Sequence, residues 1–113
     1  MSDKELHDYL LSFPNTRLDY PFGEGTAVYK VGHKDAPEQT EKMFALIAEG
    51  SKPLRVSLKT EPELNHILQE KYESVLPGYH LNKKHWITVI CSGQLSDEEI
   101  KDLARLSYRL VAE

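Results

Sequence analysis

The side chains best equipped for chemistry are five histidines, His7, His33, His66, His80 and His85, and one cysteine, Cys91. No two histidines stand four apart, the spacing by which a helix presents a pair of zinc ligands, and a lone cysteine cannot build a thiolate cluster. His80 and His85 flank a turn and read as exposed loop side chains. Cys91 ends an apolar run with no basic neighbour, the setting of a buried, inert thiol rather than a nucleophile. The serines lack a G-x-S-x-G elbow. The glycines of "PFGEGT" precede neither a helix nor a Lys-Ser/Thr pair, so they shape a loop rather than cradle a phosphate. Asp3, Glu5 and Asp8 suit the positive end of a helix more simply than they suit a cation. Nothing here supports an enzyme, and neither a cofactor nor a metal is expected.

What remains is basic and aromatic. The stretch "YHLNKKHWITV", residues 79–89, passes from a polar, basic half to an alternating apolar half at the chain's one tryptophan. Tyr79, Asn82, Lys83, Lys84 and His85 form a candidate phosphate-facing loop, with Tyr79 or Asn82 able to touch sugar or base. Lys30, His33, Lys34, Lys52, Arg55 and Lys59 lie on or near predicted strands and extend that surface if they converge on one face. The plain alternative for each lysine is edge protection and solubility. Trp86 opens an alternating apolar run, which favours a core anchor over a base-stacking platform. Two functions stay open on the residues alone. One is nucleic-acid contact through this loop. The other is a protein- or small-ligand-binding module in which the loop is structural, Asn82 tying the turn and Trp86 locking the strand.

The elements that would position these groups can be read from period and punctuation. A first helix runs from an N-cap at Ser2 to about Phe13, with Leu6, Tyr9, Leu10 and Phe13 on one stripe and Pro14 stopping it. "NTRLDYPFGEGT" reads as an irregular crossing loop. "AVYKVG", "EKMFALIAE" and "PLRVSLK" read as three strands joined by short turns, hence an antiparallel meander. Thr60 with Glu63 predicts the capping box of a second helix, carrying Leu64, Ile67 and Leu68 inward. "SVLPG" breaks regular structure, with room for a short strand near Val75 or Tyr79, and "HWITVIC" follows as a strand apolar on both faces. Ser96 and Glu99 cap a last helix whose stripe is Ile100, Leu103, Ala104, Ser107, Leu110 and Val111. The order is α-β-β-β-α-β-α, an α+β antiparallel sheet packed against helices.

Composition bounds the rest. A chain of 113 residues fits one domain, residues 1–113, with no repeat or linker. One cysteine fits a reducing compartment, and the start "MSDKELHDYL" lacks the features of a secretory signal. No apolar run approaches the roughly 20 residues that span a bilayer. A cytoplasmic protein without membrane attachment is expected, with a monomer favoured. The net charge of −4 argues against a strongly cationic nucleic-acid binder, but the average is uneven. Residues 1–28 and 93–113 are acidic, while residues 29–92 carry nine basic and eight acidic side chains.

Five segments together resemble one family. "FP" at residues 13–14, "YPFGEGTAVYKV" at 20–31, "VSLK" at 56–59, "PGYHLNKKHWITV" at 77–89 and "SYRLV" at 107–111 are similar to the MmcQ/YjbR family of small bacterial proteins. The segment containing the tryptophan is the most specific. The departure is "FPNT", where the family more usually has glycine after the proline. The resemblance implies a CyaY-like, or frataxin-like, sandwich and a "double wing" surface of sheet and hairpins that contacts DNA. It places Lys83, Lys84 and His85 in the family's basic loop. Iron binding through an acidic ridge, as the frataxin likeness would suggest, is ill served by the few acids of the first helix.

Overall fold

The structure is a computed structural model that describes residues 1–32, 36–37 and 40–112. Nine elements follow in order: α1 (Asp3–Leu11), β1 (Thr16–Asp19), β2 (Thr26–Val31), β3 (Lys42–Ala48), β4 (Arg55–Lys59), α2 (Pro62–Lys71), β5 (Val75–Pro77), β6 (Trp86–Ile90) and α3 (Asp97–Ala112). The strands form one sheet in the order β1-β2-β3-β4-β6-β5, antiparallel at every step. The predicted meander is β2-β3-β4, and β6 lies inside the sheet, as its two apolar faces require.

Side-chain alternation divides that sheet into two unlike faces. Tyr29, Ile47, Val56, Leu58, Ile87 and Val89 are buried on one face, in a single cluster with Leu6 and Leu10 of α1, Leu68 of α2 and Ile100, Leu103 and Val111 of α3. The helices therefore all draw on the same side. The opposite face has its own small apolar cluster, Val28, Leu46 and Trp86, with Met43 and Leu81 packed against it. Around that cluster the face is polar and carries no helix. One extra residue at Phe44 keeps both faces in register, since Tyr29 pairs with Ala45 but Lys30 with Met43.

The ends of α1 and α3 follow the predicted chemistry. The Ser2 hydroxyl accepts from the Glu5 amide, and Ser96 and Glu99 exchange a reciprocal pair of bonds at 3.0 and 3.1 Å. Ser107 is wholly buried on α3, where its hydroxyl accepts the Lys59 amide and donates to the Phe44 carbonyl, fastening the helix to two strands.

Four expectations need correction. Residues 16–19 are not loop but strand β1, paired along β2. Proline and glycine on either side hide a run of four whose alternation, Thr16 and Leu18 against Arg17 and Asp19, is too short to stand out. The order α-β-β-β-α-β-α lengthens to α-β-β-β-β-α-β-β-α, because β1 adds a strand and the short strand allowed for near Val75 is present as β5, Val75–Pro77. Thr60 does not cap α2: its amide continues the β4–β6 ladder to the His85 carbonyl at 2.7 Å, and Glu61 takes the N-cap place without a side-chain bond. Finally, α2 buries Asn65 and Leu68 while Ile67 is exposed, and Leu110 of α3 is exposed too. Ile67, Leu106 and Leu110 instead line an open hollow of about 540 Å³ between α2 and α3.

Candidate nucleic-acid interface

The 78–85 loop joins β5 to β6 and folds over the helix-free face of the sheet. Its entry is a close backbone approach. The Gly78 amide donates to the Trp86 carbonyl at 3.0 Å, and a Cβ on Gly78 would lie 2.6 Å from that of Trp86. Only glycine fits there. The Tyr79 amide donates to the Thr88 hydroxyl at 3.2 Å, His80 takes a left-handed φ of 58°, and Leu81 packs into the small apolar cluster. The tip is a side-chain turn in which Asn82 Oδ1 accepts the Lys84 amide at 2.9 Å while the Asn82 carbonyl accepts the His85 amide at 3.2 Å.

The residue that anchors the tip was missed in the sequence. Asn65 of α2 is 3% exposed, and its side-chain amide donates to the carbonyls of Lys83, Lys84 and Trp86 at 3.2, 3.3 and 3.1 Å. Gln69, one turn on, donates to Asn65 Oδ1. A polar residue on an otherwise apolar stripe was the available signal, since a buried asparagine must find partners for both ends of its amide.

The nominated side chains do not form a single patch. Lys83, Lys84, His85 and Asn82 are all exposed at the tip, and Asn82 and His85 border a hollow of about 570 Å³ with Lys59, Thr60 and Glu61. Tyr79 and Arg55 come together elsewhere, around a cavity of about 360 Å³ that Leu46, Ala48, Thr26, Ser57 and Thr88 also line. Lys30 belongs to a compensated network: its ammonium lies 3.0 Å from Asp19, while Arg17 holds Glu41 by two bonds of 2.7 Å and lies 3.7 Å from Asp19. The hydrogen bond from Lys30 lowers the Asp19 pKa below the ordinary carboxylate value, and that from Arg17 does the same for Glu41. Lys30 thus offers little free charge. His33 and Lys34 lie outside the described residues. Among the described residues, no ion pair engages Arg55, Lys59, Lys83 or Lys84.

Charge is nonetheless segregated. Arg17, Lys30, Arg55 and Lys59 alternate with core residues and so face the helix-free side, against Asp19 on the same strands. The three helices carry nine carboxylates and five basic side chains. Trp86 is buried in the small cluster and does not present a stacking surface, as its alternation predicted. Burial pushes the Cys91 thiol pKa up, consistent with an inert cysteine. Among the described residues, no group of three or more histidine, cysteine or acidic side chains could hold a metal ion, and no helix is long and apolar enough to cross a membrane.

The fold and loop define a class: a small α+β protein whose antiparallel sheet is covered by helices on one side and carries the 78–85 loop on the other. The chain belongs to the YjbR family, whose model matches residues 11–110. It is 33% identical to the uncharacterized protein YbdF of Escherichia coli O157:H7 over all of this chain and 89% of that protein. Uncharacterized protein YjbR of Escherichia coli K12 is 43% identical over 67 residues, 59% of this chain and 57% of its own length. Among solved structures, Deinococcus radiodurans protein DR2400 superposes with a TM-score of 0.86 at 38% identity, covering 97% of this chain and 78% of that one.

Proposed function

We propose that this is a non-enzymatic, cytoplasmic DNA-binding protein whose contact surface is the helix-free sheet face together with the 78–85 loop. The observation that carries the reading is the partition of charge. Arg55, Lys59, Lys83 and Lys84 stand on the sheet and loop side without ion pairs among the described residues, and the strands carry five basic side chains against one carboxylate while the helices carry nine carboxylates against five basic side chains. The net charge of −4 arises outside the strands, which carry Arg17, Lys30, Lys42, Arg55 and Lys59 against Asp19 alone, so the sheet itself favours a phosphate. The finer description we attach is a CyaY-like, double-wing arrangement, with the β5–β6 hairpin as one wing.

The test is binding to a labelled duplex over a salt series. If Lys83 and Lys84 each contact a phosphate, the Lys83→Ala/Lys84→Ala variant binds more weakly at every salt concentration. Its slope of log K against log salt is shallower by nearly 2. Absence of binding to duplex or single strand at low salt refutes the proposal.

One observation favours a second reading, a protein- or small-ligand-binding module in which the loop is structural. Asn65 and Asn82 between them satisfy the backbone of the tip, so the shape of the loop is explained without any ligand. Under that reading the double-lysine variant is indistinguishable from the parent in every nucleic-acid assay.

A further inference from the structure

The cavity shared by Tyr79 and Arg55 has the chemistry of a site for one unpaired nucleotide. Its volume of about 360 Å³ lies at the small end of the range for small-molecule pockets, roughly 300–1,000 Å³. The Tyr79 side chain is 72% exposed while its backbone amide is fastened to Thr88, so the backbone presents an aromatic ring at the rim, beside the His80 ring at 4.0 Å, without its being used by the core. Arg55 is exposed, and its guanidinium has no ion pair among the described residues. Leu46 and Ala48 make the lining partly apolar.

The hydroxyls of Ser57 and Thr88 add a polar pair to the lining. Ser57 and Thr88 lie 2.9 Å apart and share one hydrogen bond. Thr88 is the more buried and already accepts the Tyr79 amide, and either hydroxyl can donate in the bond between them. When Thr88 donates, the Ser57 hydroxyl can donate to a ligand beside Arg55 on the same strand, and when Ser57 donates it can accept from one.

We infer that this cavity takes a single nucleotide, its base against Tyr79 and its phosphate on Arg55, so that the face prefers single-stranded to duplex DNA. The inference rests on the nucleic-acid reading above and specifies its ligand. A base stacked inside a duplex cannot lie on a ring at the rim of a sheet cavity, whereas an unpaired base can, and ring stacking tolerates any sequence.

The experiment is fluorescence anisotropy at one salt concentration with a labelled ten-residue oligothymidine and with a labelled ten-base-pair duplex. The parent protein binds the single strand more tightly. Tyr79→Ala weakens single-strand binding by roughly 5- to 150-fold, the range expected for one stacked base, while Tyr79→Phe retains it. Arg55→Ala weakens the single strand more than the duplex, whereas the Lys83→Ala/Lys84→Ala variant weakens both alike. Both sites are exposed, and unchanged circular dichroism checks that folding is intact. Equal binding of the two DNAs, with Tyr79→Ala without effect, overturns this inference and leaves the DNA-binding proposal standing. Binding to neither DNA overturns both.

Discussion

Asn65 shows how a single buried side chain can decide the shape of a surface. Its amide donates to three carbonyls in the loop tip and β6, and the loop owes its geometry to a helix that is distant in sequence. Replacing it with alanine leaves those carbonyls buried against an apolar methyl, because the position is 3% exposed and water has little access. Asn65→Ala is expected to cost about 1–3 kcal/mol in urea unfolding, the penalty for unsatisfied buried polar groups. It should also weaken any binding that depends on Lys83 and Lys84, since their backbones are what it holds. Asn65→Asp is expected to be at least as damaging, because a carboxylate facing three carbonyls has no proton to offer. Hydrogen exchange at the loop amides would separate local loosening from global loss.

Among the elements, β1 is a four-residue edge strand held to β2 by its ladder and by charge. Glu41 just before β3 receives two bonds from Arg17 of β1, so one ion pair bridges the width of three strands. The pairing holds the Glu41 pKa below its ordinary value of 4.5. A carboxylate lowered in this way takes up its proton less readily folded than unfolded. Its stabilisation is complete above the unfolded value and disappears as the pH falls through the folded one. Glu41→Gln should therefore lower stability at pH 7 by roughly 0.5–1 kcal/mol, Arg17 being partly exposed, and the difference should vanish in strongly acidic solution. Paired urea titrations at both pH values check this.

The same elements show what a sequence makes legible. Long, strongly periodic elements and capping boxes were readable, because their signals are local: α1, α3 and the meander of β2, β3 and β4. β1 was not, since a short edge strand is defined by its partner rather than by its own pattern. The candidate loop was legible as a composition of Tyr79, Asn82 and two lysines. Its division between two hollows, and the loss of Lys30 to Asp19, were not, because both depend on which strands the topology brings together.

On the scale of the whole molecule, the helices and the sheet divide the charge between them. This partition follows from the sandwich itself: strands buried on one face can place polar side chains only on the other, and here the charged ones are Arg17, Lys30, Arg55 and Lys59 against Asp19. The consequence reaches ordinary handling. With an isoelectric point near 5.7, the protein should by mean charge pass through a sulfonate resin at pH 7 unretained. A resin, however, meets a face and not an average. The molecule would dock by its sheet with its helices turned away, and would also bind an anion exchanger in the opposite pose. The same protein would be held on both columns, and the order in which Lys83→Ala/Lys84→Ala elutes from each would report which side it presents.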